Sequence, residues 1–363
     1  MDNASVEVNT TGPHADISDV YNNHLPSILM DRLPTLVFYI IGLPANPLCA
    51  YIWLQRRTRA NNSSAIYLGA LSISHVVFLT LHVLQELRYA WGISTYDGYV
   101  SCQIFNMLFC IPQYLAPLLV LSFTVERYIA VCHPFAKERF CTVWRAILVV
   151  LCLLAFCIVI STLQAYFWTY DEVKKICNHR QELQESPFIE IWTWSTELLL
   201  FGVAPLAALV CNILVIREIR SLTNSGPAHM GAGGSSQAST VTLLSVSFYL
   251  ICTWLPYTIV YSMYKQFPIG QFPIQPEAVQ RDPTWRTHLM YIFVRNFLTE
   301  ITLSNSACYF FIYYATGKYF RERVHELVCP GQCAQTKDSK RQHHSYLATS
   351  STALINRKPA TCV

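Results

Sequence analysis

Seven apolar stretches, roughly residues 34–54, 64–87, 102–125, 144–168, 189–216, 239–264 and 288–315, constrain this chain more than anything else in it. An α-helix rises about 1.5 Å per residue, so about 20 residues cross the roughly 30 Å hydrocarbon core of a bilayer. Composition agrees. Of 363 residues 53% are hydrophobic, only 13% are charged, and mean hydropathy is +0.30, too little polar surface for a soluble globule. The expected fold is an all-α membrane protein, a seven-helix transmembrane bundle with a short amphipathic C-terminal helix. It divides into an N-terminal tail 1–33, a bundle 34–315, a membrane-surface helix 316–328 and a tail 329–363.

Lysine and arginine in the short flanks set the orientation. Only Arg32 precedes the first span, among Asp2, Glu7, Asp16, Asp19 and Asp31, whereas Arg56, Arg57 and Arg59 follow it. Later flanks on the same side carry Lys137, Arg139 and Arg145, then Arg217 and Arg220, then Lys318, Arg321 and Arg323. The N-terminus is therefore expected outside the cell and the C-terminus inside. Residues 1–33 lack the basic-then-apolar run of a cleaved signal peptide, so the first span is read as a signal-anchor. Asn3 and Asn9 are glycosylation acceptors on the outer side, while the matching tripeptides at Asn61 and Asn62 fall inside.

Several short motifs lie on these spans in order. Glu126-Arg127-Tyr128 through Cys132-His133-Pro134 is similar to the inner end of the third helix of rhodopsin-like G-protein-coupled receptors. Asn46 resembles that family's first-helix asparagine, Trp91 its first-outer-loop tryptophan and Pro205 its fifth-helix proline. Thr253-Trp254-Leu255-Pro256 resembles the sixth-helix Cys-Trp-x-Pro, and Tyr313 with Lys318-Tyr319-Phe320-Arg321 resembles the end of the seventh helix and the surface helix after it. The segment Phe135-Ala136, Phe140-Cys141-Thr142, Arg145-Ala146 narrows the likeness to thyrotropin-releasing-hormone and FMRFamide-type peptide receptors.

Topology and this resemblance together imply a Cys102–Cys177 disulfide, because both lie on the outer, oxidising side while most of the 14 cysteines fall inside spans. The resemblance implies an activation switch of Glu126, Arg127, Tyr128, Trp254, Pro256 and Tyr313. Two physical readings of Arg127 are open: a buried ion pair with Glu126, or snorkelling to the interface. Pro256 removes a helical hydrogen bond and makes a hinge. Trp254 beside it either takes the push of a ligand or fills volume.

Departures from the family are also legible. His75 stands where the family has an acid, and Tyr309 where it has the asparagine of Asn-Pro-x-x-Tyr. In the family that acid and asparagine belong to a sodium site, and an imidazole and a phenol do not rebuild one. His75 is expected to hydrogen-bond Asn46, Asn305 or Tyr309, with a proton-sensing role as the alternative. Ile213 replaces a tyrosine that reaches toward the third-helix arginine, Leu250 replaces a phenylalanine, and the fourth span lacks the usual Trp and Pro.

The upper cavity is expected to take its ligand on Glu86, Phe109, Gln113, Glu197, Trp254, Tyr257, Tyr261 and Arg295, joined by His82 and Glu300. Ionisable groups at membrane depth face the bundle interior. Glu86 or Glu300 can instead pair with Arg295 or Arg88, whereas Glu197 has no local cation. The third span holds no acid for a biogenic amine and the seventh no lysine for retinal, so a peptide with a basic residue and an aromatic or amidated end fits best. No His-Glu-x-x-His or Gly-x-Ser-x-Gly pattern occurs, so no enzymatic activity is expected. His75, Tyr309 and Ile213 leave a non-signalling or constitutively active receptor-like protein as the alternative, and a channel or transporter is disfavoured, since no inverted repeat is visible. No catalytic residue, cofactor, metal or nucleic-acid partner is expected.

On the inner side His133-Pro134-Phe135 is read as the plug into a heterotrimeric G protein, with basic neighbours steering toward it or toward membrane lipid. Cys329 and Cys333 are palmitoylation candidates. Ser345 to Thr352 offers phosphorylation sites for arrestin. Thr361-Cys362-Val363 has the form that PDZ grooves accept.

Overall fold

Apolar segments of this length can satisfy their backbone in lipid only as helices, and helices form across all seven. The structure, a computed structural model, describes residues 25–60, 62–173, 175–184, 186–224, 234–270, 279 and 281–328. The long helices are α1 (Leu25–Leu54), α2 (Ser63–Tyr89), α3 (Tyr99–Cys132), α4 (Val143–Phe167), α5, α6 (Gly234–Ser262) and α7 (Pro283–Thr316). Helix α5 runs as Pro187–Glu197, a π-helical turn Leu198–Val203, and Ala204–Asn224. A surface helix α8 spans Lys318–Val328. Among the described residues, six helices are long and apolar enough to cross a membrane. The seventh, α7, has the length at 34 residues but is more polar, carrying Arg295, Glu300 and a run from Thr302 to Ser306 that is buried in the bundle.

The central helix is α3, whose Leu119, Val120 and Phe123 are fully buried. Helix α4 is peripheral. Of its four buried residues, Ala146, Cys157 and Ser161, spaced by 11 and 4, form one stripe, and Phe167 is buried at its end, while Trp144, Leu148, Leu151, Phe156 and Val159 are exposed. Gly42 lets α1 approach closely, because a Cβ there would lie 2.5 Å from Leu79 and 3.1 Å from the Ala307 backbone. Asn46 then reaches across, donating to the carbonyls of Ser306 at 2.6 Å and Gly42 at 2.9 Å.

Between α4 and α5 lies an antiparallel hairpin, β1 (Trp168–Asp171) and β2 (Ile176–His179). Cys102 and Cys177 are disulfide-bonded, which pins β2 to the first turns of α3. A second tie sits beside it. Arg88, near the end of α2, pairs with Asp97 at 2.7 Å with both side chains only 8% exposed. The same Arg88 donates to the Cys177 carbonyl at 2.7 Å, and Asp97 accepts from the Cys177 N–H at 2.8 Å. Tyr96 stacks on Phe105 of α3 at 3.7 Å, closing the cluster.

At the opposite end Phe320 and Val324 of α8, four residues apart, face inward. Phe320 stacks on Trp53 at 5.5 Å and meets Tyr313 at 5.5 Å. Tyr319 and Thr58 share a hydroxyl contact of 2.9 Å, and Arg323 donates to Gln55 at 2.8 Å. The acceptors Asn3 and Asn9, Cys329, Cys333 and the tail motifs lie outside the described residues.

Candidate functional site

A cavity of about 300 Å³ opens between α2, α3, α5, α6 and α7. Of the residues expected to hold a ligand, Phe109, Gln113, Glu197, Trp254, Tyr257 and Tyr261 line it. Glu86 and Arg295 do not. Each sits one helical turn nearer the disulfide end than a lining residue, His82 and Thr299 respectively. His82 lines the wall, its ring nitrogen 2.6 Å from the Tyr39 hydroxyl, and Glu300 accepts from Thr35 at 2.8 Å. Arg88 takes Asp97 as its partner, because the turn between α2 and α3 brings that carboxylate back over the helix end.

Other lining residues lie outside that set, among them Phe78, Gln85, Phe201, Thr299 and Thr302. Helical spacing was the available signal. Gln85 follows His82 by three, Phe201 follows Glu197 by four, and Thr302 follows Thr299 by three, each pair on one face.

Local chemistry aims the α5 wall. Pro205 has no N–H to give the carbonyl four residues back, and that carbonyl, of Phe201, accepts from the Thr258 hydroxyl of α6 at 3.2 Å. The π-helical turn just before Pro205 puts one extra residue into the helix at this point. Phe201 lies flat on Trp254, centroids 4.2 Å apart and planes 6° from parallel. Tyr257 meets Trp254 edge-on at 5.9 Å, and Tyr261 follows Tyr257 at 5.8 Å. A ladder of aromatic rings thus runs down α6 to Pro256, inside the same helix.

The floor is polar. Tyr309 donates to Asn305 at 3.0 Å, and Asn305 donates to Thr253 and to the Thr302 carbonyl at 3.2 Å. His75 does not join. It packs on the Tyr309 ring at 5.1 Å, and its Nδ1 is buried without a partner. The expected bonds to Asn46, Asn305 or Tyr309 fail because Asn46 is used by Ser306 and the Tyr309 hydroxyl by Asn305.

Deeper, Glu126 and Arg127 meet through serine hydroxyls rather than pairing directly. Ser63 and Ser64, the first turn of α2, both donate to Glu126 Oε1, Ser64 at 3.3 Å. Arg127 in turn donates to Ser64 through Nε at 3.1 Å and through Nη2. Tyr128 is 3.3 Å from His133. Thr124, one turn before Arg127, contacts Ser247 of α6 at 2.8 Å. Tyr313 is fully buried against Trp53, its hydroxyl unpartnered. Ile213 faces outward, 46% exposed, and the adjacent Asn212 faces the bundle with its Nδ2 unpartnered.

A family model, 7 transmembrane receptor (rhodopsin family), matches residues 46–295. G-protein coupled receptor 183 of Rattus norvegicus is 24% identical over 67% of this chain and 68% of its own length. Neurotensin receptor type 1 of Rattus norvegicus is 28% identical over 36% of this chain and 32% of its own. Neuromedin U receptor homolog nmur-2 of Caenorhabditis elegans is 28% identical over 31% and 30%. A match covering most of the bundle, on helices that enclose the cavity, makes the chain a member of the rhodopsin family of seven-transmembrane, G-protein-coupled receptors, a multi-pass plasma-membrane protein that is a signalling receptor rather than an enzyme.

Proposed function

We propose that this receptor binds an extracellular peptide in the cavity, with Glu197 holding a basic group of the ligand, and activates a heterotrimeric G protein by outward movement of the inner half of α6. One observation carries the reading: Glu197 is the one carboxylate among the described residues lining the cavity, which no Lys or Arg lines. A cationic group is therefore favoured there and an anionic one disfavoured. The neuromedin U and neurotensin receptor names among the relatives support a peptide.

The N-terminal tail is extracellular in this reading, and a volume of about 300 Å³ takes only the end of a peptide, leaving Glu86 and Arg295 at the rim for the next residues. Activation would pass from Trp254 through Pro256, freeing Arg127 and Tyr313. Phe135, fully exposed on the short helix Pro134–Phe140, supports this loop as the G-protein contact. The tail carries the further proposals: palmitoylation at Cys329 and Cys333, arrestin on a phosphorylated Ser345 to Thr352, and a PDZ partner at Val363.

Screening a panel of neuropeptides by calcium release on wild type and Glu197→Gln tests this. A peptide with a basic residue should lose about tenfold or more in potency on the variant, the value of a charge-assisted bond. Equal potency on both would remove Glu197 from the ligand site.

A further inference from the structure

The cavity does not end at Trp254. It continues to His75 on α2, which lies seven residues, about 10 Å along the helix, deeper than His82. His75 is 3% exposed, lines the cavity and forms no hydrogen bond with any described residue, its Nδ1 fully buried and unpartnered. A buried polar atom left without a partner costs about 1–3 kcal/mol, so this ring is kept in a position that something else completes. Its neighbours cannot do so. Tyr309 is committed to Asn305, and Asn305 to Thr253 and Thr302.

The charge pattern says what could. Glu197 is the lone acid of the lining, and it lies toward the disulfide end beside Tyr257 and Tyr261. The floor offers an imidazole, an amide, a phenol and hydroxyls, with no carboxylate and no cation. Such a floor brings no opposite charge to a carboxylate or an ammonium, and its mixed donors and acceptors match a group that both donates and accepts hydrogen bonds without carrying charge.

We propose that the floor at His75 is a binding subsite for an uncharged polar end of the ligand, a carboxamide above all, so that the ligand spans the cavity with its cation at Glu197 and its neutral end at His75. This rests on the cavity being the ligand site and adds which part of the ligand goes where.

6-Aminohexanamide and hexylamine test it. They share the amine and a chain of five methylenes long enough to separate it from the far end, and they differ by a carboxamide in place of a methyl. On the full-length receptor in lipid nanodiscs, ligand-dependent shifts of thermal unfolding at millimolar probe give both affinities. Wild type should bind 6-aminohexanamide about fivefold more tightly, one buried hydrogen bond's worth. His75→Leu, which keeps the volume, should bring the ratio to about one. His75→Gln should keep most of it and covers the case in which the leucine variant fails to fold. Glu197→Gln should weaken both probes while leaving the ratio. Equal binding by wild type, no binding of either probe, or a ratio that survives His75→Leu would each overturn the assignment. Failure of the peptide screen with the amide ratio intact would sink the peptide reading and leave this subsite standing.

Discussion

The two ends of α3 are fastened in different ways. At one end Cys102 is covalently joined to Cys177, and the Arg88–Asp97 pair clasps both backbone groups of that same cysteine. At the other, Glu126 and Arg127 rest on two serine hydroxyls, and Thr124 touches α6 through one more. A covalent bond and a dry ion pair have no competitor of equal strength. A hydroxyl can be exchanged for a water or another side chain at a cost near 1 kcal/mol. One end is therefore built to stay and the other to let go.

Breaking the clasp should give the largest effect. Asp97→Ala leaves Arg88 buried without its carboxylate and should cost about 3–5 kcal/mol even with the disulfide intact. Thermal unfolding under non-reducing conditions measures it, and an unchanged midpoint would reduce the clasp to decoration. At the releasable end the effect should be smaller and of another kind. Ser64→Ala removes both hydroxyl contacts of Arg127, about 1.5 kcal/mol, and should raise ligand-independent nucleotide exchange about tenfold in membranes. No rise would mean that this serine does not restrain the arginine.

The smallest effect concerns the hairpin. His179 lies on the Trp168 ring at 4.0 Å, and burial against its surroundings holds the imidazole below its ordinary value. The neutral form is thus the one that the fold favours. Hairpin stability should be full above about pH 6.5 and decline as pH falls below that, where the unfolded segment takes up its proton first. Hydrogen exchange of the hairpin amides across this range should show the slope, weakened by the partial exposure of the ring. His179→Gln should flatten it, and an identical slope in that variant would place the titrating group elsewhere.

Much of the bundle could be read from hydropathy, because lipid leaves an apolar stretch of about 20 residues little choice but a helix. The Cys102–Cys177 bridge was equally legible. What escaped were contacts between segments distant in sequence. On paper Arg88 matches Glu86 or Glu300, and the path of the turn through Asp97 gives it a carboxylate that neither reading names. Ser63 and Ser64 look like ordinary helix-start residues, and nothing local says that Arg127 will reach them. The aromatic wall was half visible, Trp254 by its motif and Phe201 only by its spacing from Glu197.

The extra residue in the turn before Pro205 has an evolutionary consequence. A π-helical turn takes up its extra residue within one turn, so a receptor one residue shorter between Leu198 and Val203 would run there as plain α-helix and keep both Pro205 and Glu197 facing as they do. The carboxylate's aim therefore survives a single deletion in this turn. An ungapped alignment carried back from Pro205 would pair Glu197 with a residue about 100° round the helix from its structural counterpart.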